Sequence, residues 1–124
     1  MKVLLYLFLV MGNGNSPTKI STQVTATIYH ATPEQTNADY LTTASMKKID
    51  STNPRKHQWI AVSRDLEKLG FVFGQKVHIE NAGELNGIWT IEDRMNKRFT
   101  KRIDFLVNKT RKYGKWEEVK ITLL

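Results

Sequence analysis

Residues 23–30 (QVTATIYH) alternate, Val24, Ala26 and Ile28 against Thr25, Thr27 and Tyr29, the period of a half-buried strand rich in β-branched side chains. Residues 31–54 are dominated by Thr, Asn, Asp, Ser and Pro, with one brief Tyr40-Leu41 interruption. That stretch predicts a long loop, and loops of such length usually serve function or motion. Residues 58–63 (QWIAVS) form a short apolar run suited to a buried strand. Residues 64–70 (RDLEKLG) follow with one or two helical turns and a glycine stop. Two further strands are predicted at 76–80 (KVHIE) and 87–92 (GIWTIE), joined by a hairpin-like 81–86; 102–107 (RIDFLV) and 118–123 (EVKITL) complete the set.

Six short strands, one short helix and no internal repeat describe a mainly β domain. The strands lack two hydrophobic faces of equal length, which favours a small closed barrel over a sandwich, since closure removes exposed sheet edges.

Length adds that the chain is one domain: 124 residues support a single modest core. With 19 Lys plus Arg against 12 Asp plus Glu, the net charge of +7 favours anionic surroundings: nucleic acid, a membrane face or an anionic wall polymer. The absence of Cys excludes disulfide frameworks, thiol nucleophiles and thiolate metal sites, and leaves the compartment open. At the N-terminus, Met1-Lys2 precedes nine apolar residues, 3–11, and a polar break, 12–17. One positive charge and a run far short of the roughly 20 residues a membrane span needs read as a secretory signal peptide. Residues 1–20 are therefore expected to be a signal peptide or flexible leader, residues 21–124 the folded domain, and the destination the periplasm or cell envelope. No stable membrane span is expected.

Three acids stand at or near strand ends: Asp65 after WIAVSR, Asp93 after GIWTIE, and Asp104 inside RIDFLV. If the last strand alternates, Asp104 and Leu106 face away from Ile103, Phe105 and Val107, so Asp104 meets either solvent or a groove. A carboxyl group pressed against apolar walls or a second carboxylate holds its proton to higher pH, as acid catalysis at a glycosidic oxygen requires. The plainer alternative is a surface pairing of Asp104 with Arg94, Arg98 or Arg102.

The blocks VTATIYH, WIAVSRDL, VHIENAGELNGIWTIEDRMNKRFTKRIDFLV and KYGKWEEVKITLL together resemble the three-aspartate domain, a double-psi β-barrel family related to rare lipoprotein A. The resemblance spans roughly residues 23–124. Its motifs match in order: Ala61-Val62 followed by Asp65, Gly74 before KVHIE, and Asp93 eleven positions before Asp104 within Arg102-Ile103-Asp104. Two departures stand out. Ser63 and Arg64 intervene before Asp65, and a Gly-rich turn common in the family is replaced by residues 95–100 (MNKRFT), a block similar to a subgroup in Bacteroidetes-type bacteria and their phages. The Asp93-Arg94 pair is similar to the Asp-Arg pair of the rare lipoprotein A branch.

The resemblance implies a six-stranded double-psi β-barrel acting on the glycan strands of peptidoglycan by lytic transglycosylation, with no cofactor or metal. The family's branches differ on the acid, one pattern matching Asp104 and the rare lipoprotein A pattern Asp93; Asp104 is the expected acid/base, with Asp93 and Asp65 tuning it and holding sugar. A barrel that binds wall glycan without cutting it is the near alternative.

Tyr29, His30 and Thr43, with Arg94 and Arg102, are the candidate sugar contacts; Thr36 and Thr42 belong to the same loop and carry the weaker expectation of ordinary loop chemistry. Trp59, Trp89 and Trp116 lie in or beside strands, where core packing is the expectation for at least two. His30, His57 and His78 are 27 and 21 residues apart, spacing that gives no metal-ligand pair. The basic residues of 94–102 and 109–115, mixed with Phe99 and Tyr113, would suit a phosphate backbone as well as an anionic wall polymer. Set beside the resemblance, nucleic acid is not the expected partner.

Overall fold

The computed structural model describes residues 19–33 and 39–124. Most of the expected leader, residues 1–18, and Thr36 lie outside the described residues. The strands are β1 (Ser21–Tyr29), β2 (Trp59–Val62), β3 (Lys76–Glu80), β4 (Gly87–Arg94), β5 (Arg102–Leu106) and β6 (Lys115–Leu123), with the helix α1 (Arg64–Glu67) and two 3-10 turns, Pro54–His57 and Gly83–Leu85. They close into a barrel in the order β1-β5-β2-β4-β3-β6. The chain is thus the small six-stranded β-barrel with one short helix that its pattern predicts.

That ring maps onto itself when each strand is exchanged with the one three places on, β1 with β4, β2 with β5, β3 with β6. Every strand pairs only with strands of the other half, in parallel for β1/β5 and β2/β4. Neither half can form a sheet alone, so the fold depends on contacts distant in sequence.

Alternation explains the filling. Each strand sends two apolar side chains inward: Val24 and Ala26, Ile60 and Val62, Val77 and Ile79, Trp89 and Ile91, Ile103 and Phe105, Val119 and Ile121. The Trp89 and Phe105 rings sit 4.7 Å apart, and the indole N–H donates to the Leu85 carbonyl at 2.8 Å, so the largest buried side chain has its polar atom satisfied. Trp116 packs half-buried against the same core, and Trp59 against a second cluster outside the barrel.

The differences from the sequence pattern are local. Strand β4 runs two residues past Glu92 because β2 pairs with it as far as Val62 opposite Arg94. Strand β6 starts at Lys115 because β1 holds Lys115 and Trp116, across an irregularity where Glu118 takes a left-handed φ of 54°. The helix ends at Glu67, not Gly70: only Leu66 of α1 is buried, and the chain turns through Gly70, at φ 105°, to bury Phe71.

The second cluster positions the functional surface. Tyr29, Ile49, Ala61, Met95 and Leu106 are buried outside the barrel wall, with Leu41, Trp59 and Phe99 packed on them. Part of the long loop, around the Thr42–Lys48 bridge, therefore lies over strands β1, β5, β2 and β4.

Candidate functional site

Strand register assembles the site. Thr27 of β1 stands opposite Asp104 of β5, Asp104 opposite Ala61 of β2, and Ala61 opposite Asp93 of β4. Directly paired residues share a sheet face, so these four make one row across four strands on the outer wall. Asp93 and Asp104 are two strand spacings apart, about 10 Å between backbones. The residue between them is Ala61, a small side chain that lines the cleft between the two acids.

A bulge makes the row possible. Ile60 pairs with Ile91 but Ala61 with Asp93, so Glu92 is an extra residue in β4. Without it Glu92 would stand opposite Ala61 and the Asp93 side chain would turn to the other face. The displaced Glu92 is buried; its Oε1 accepts from Ser45 Oγ at 2.7 Å and its carbonyl from Ser45 N at 3.2 Å. These bonds pin the loop turn beside Asp93. Within that turn the buried Thr43 Oγ1 accepts from Lys47 N at 3.0 Å, and Met46 stands exposed at the tip with φ 72°.

A cleft of about 760 Å³ opens between this loop, the strand row and residues 94–99. Asp93 and Asp104 line it with Tyr29, Thr43 and Arg94, and so do Arg64, Arg98 and Phe99. Three donors hold Asp93: Tyr29 Oη reaches Oδ2 at 2.8 Å, and the backbone N–H groups of Ala44 and Arg94 each reach Oδ1 at 3.0 Å. Burial pushes the Tyr29 phenol well above its usual range, and the Asp93 charge adds to this, so Tyr29 remains a donor.

Asp104 is set apart from ordinary carboxylates. Burial raises its pKa, and the charge of Asp93 works in the same direction; the Thr27 hydroxyl, which donates to Asp104 Oδ1, and the Arg102 guanidinium work against both. Burial dominates, so Asp104 keeps its proton to higher pH than a solvated Asp. The arrangement sets a carboxyl group whose pKa burial raises and a carboxylate held by three donors along one wall of the cleft.

Of the eight expected site residues, Asp93, Asp104, Tyr29, Thr43 and Arg94 line the cleft, and Asp65, His30 and Arg102 do not. Asp65 accepts from Lys101 N at 3.0 Å through Oδ2, bracing the turn into β5, and is not among the groups that shift Asp104. His30 Nε2 lies 2.6 Å from the Arg111 carbonyl. Arg102 has its guanidinium 5.0 Å from the centre of the Phe99 ring, and acts on Asp104 by charge. Arg94 is tied by an ion pair of 2.7 Å to Glu67.

The sequence pattern did not mark Thr27 or Glu92 as site residues, and Ala61 entered only as part of a motif block. Thr27 was findable, since it shares the outward face of β1 with Tyr29; the bulge at Glu92 leaves no such signal. Among the described residues no group of three or more His, Cys, Asp or Glu is placed to hold a metal ion. Nor is any helix among them long and apolar enough to cross a membrane.

Compared with protein-family models, curated proteins and solved structures, the chain finds no match.

Proposed function

We propose that the cleft binds the glycan strands of peptidoglycan and cleaves them by lytic transglycosylation, with Asp104 as the single acid/base. The observation that carries this reading is the placement of Asp104 and Asp93 on one strand row lining an open cleft, where burial raises the Asp104 pKa. The Asp104 carboxyl protonates the glycosidic oxygen as the C1–O bond breaks. The resulting carboxylate then takes the proton of the same sugar's 6-hydroxyl, whose oxygen closes on C1 to give a 1,6-anhydro end. No water is consumed and no cofactor is needed. Asp93, fixed by Tyr29 and two backbone donors, supplies negative charge near the developing oxocarbenium ion and acceptors for sugar hydroxyls.

The closed ring of two interlocked three-strand halves agrees with the double-psi barrel that this reading requires. The site of action on this reading is the cell envelope, reached by export through the leader.

A second reading keeps the cleft and drops the chemistry. It draws on the rim, where residues 95–99 bring Met95, Arg98 and Phe99 side chains to a place that close backbone approach would otherwise occupy. Incubating the protein with purified sacculi, beside Asp104→Asn, separates the two. Soluble products ending in 1,6-anhydro-muramic acid that disappear with Asp104→Asn support cleavage; co-sedimentation with sacculi and no released product supports the binder.

A further inference from the structure

The cleft is acidic at its floor and basic at its rim. Asp93 and Asp104 lie on the strand row, Asp39 belongs to the loop, and Arg64, Arg94 and Arg98 line the side formed by α1, the end of β4 and the 95–99 segment. The three arginines are not equivalent. Arg94 is neutralised by Glu67 at 2.7 Å. Arg64 uses its Nε on the Met95 carbonyl at 3.4 Å, and Arg98 lies against the Phe99 ring, 4.6 Å from its centre. Among the described residues neither Arg64 nor Arg98 has a carboxylate partner. Both are exposed side chains, so their substitution leaves the core untouched.

An unpaired guanidinium at a cleft wall offers a planar fork of donors that matches a carboxylate. Two such forks on one side, one of them steadied by an aromatic ring, make a place for a negative group on the ligand while its hydroxyls meet the floor. On the floor Asp93 accepts from three donors and Asp104 from the Thr27 hydroxyl. At the rim Arg64 and Arg98 are the guanidinium groups left without a carboxylate among the described residues.

We propose that Arg64 and Arg98 make the cleft selective for glycan that carries a free carboxylate over neutral glycan. The inference rests on the reading of the cleft as a glycan site. Two carboxylate sources exist on a wall glycan, the lactyl group of a peptide-free muramic acid and the stem-peptide carboxylates, and both present the same chemistry to the rim.

The test is calorimetric titration of the full chain carrying Asp104→Asn, so that glycan persists, at moderate salt. The probes are neutral N-acetylglucosamine oligomers, peptide-free muramic-acid oligomers with free or methylamidated lactyl groups, and peptide-bearing oligomers with free or methylamidated carboxylates. The expected result is binding about tenfold or more tighter for a free carboxylate than for its amidated or neutral counterpart. The arm in which amidation weakens binding names the source. Adding Arg98→Gln or Arg64→Gln should shrink the ratio of free-carboxylate to neutral binding. Equal affinity for free and amidated probes overturns the inference and leaves the glycan reading standing, as does a preference that survives both substitutions. No binding of any oligomer brings down the glycan reading, and the inference with it.

Discussion

Asp104→Asn should stabilise the protein at neutral pH. The folded chain holds the Asp104 proton more tightly than the unfolded chain, whose carboxyl titrates near the usual 3.8. A raised folded pKa means that the contribution of Asp104 to stability is complete below the unfolded pKa and is lost as pH rises through the folded one. Asn is a neutral group of the same shape at every pH, and its Oδ1 can still accept the Thr27 hydroxyl. The variant therefore matches the wild type in acid and gains on it as the wild-type carboxyl is forced to ionise against burial and the Asp93 charge. Each unit between the folded and unfolded titrations is worth about 1.4 kcal/mol. In a domain of this size that is about 6–11 °C in Tm. The assay is thermal unfolding of both proteins at half-unit steps from pH 3 to 8, with the difference in Tm plotted against pH. The reasoning predicts a difference near zero at the acid end, rising through the folded pKa to a plateau. A difference that stays constant with pH, or a wild type that gains on the variant toward neutrality, refutes it.

Ala61→Leu puts three more carbon atoms between Asp104 and Asp93; glycan binding or cleavage should fall by a hundredfold or more, with overpacking of the cluster around Ala61 costing about 1–3 kcal/mol of stability, read from Tm beside activity. Tyr29→Phe removes one of the three donors to Asp93 and should cost about 1.5–3 kcal/mol in denaturant unfolding, because a charged acceptor loses a buried partner. Ser45→Ala leaves the buried Glu92 carboxylate without its hydroxyl donor and should cost about 1–3 kcal/mol, with faster hydrogen exchange at the Ala44 amide as the turn loosens. Gly114→Ala places a Cβ 2.7 Å from the Trp116 ring, so it should destabilise by about 1–3 kcal/mol while leaving cleft binding intact.

The barrel was legible because its rule is simple: two inward apolar residues per strand at period two, with glycine and polar breaks between. The same rule set Asp104 and Leu106 on the opposite face from Ile103 and Phe105, which narrowed Asp104 to solvent or a groove. It did not decide between these, because the cover over that face is a loop some 60 residues earlier, and loop packing has no period to read. Asp93 was visible as an acid beside a strand end. Its alignment with Asp104 depends on one inserted residue, Glu92, in a two-stranded register that appears only once β2 and β4 meet. Asp65 and Asp93 look alike in sequence, each an acid after an apolar strand. The structure separates them because α1 turns Asp65 toward the Lys101 amide, away from the cleft.

The central claim is that Asp104 drives an internal transfer in which the sugar's own 6-hydroxyl, and not water, closes the reaction. Digesting peptidoglycan in water enriched in oxygen-18, followed by mass spectrometry of the released glycan ends, tests it directly. The account predicts released ends of anhydro mass that carry no label. Labelled reducing ends, or no released glycan at all, would contradict it.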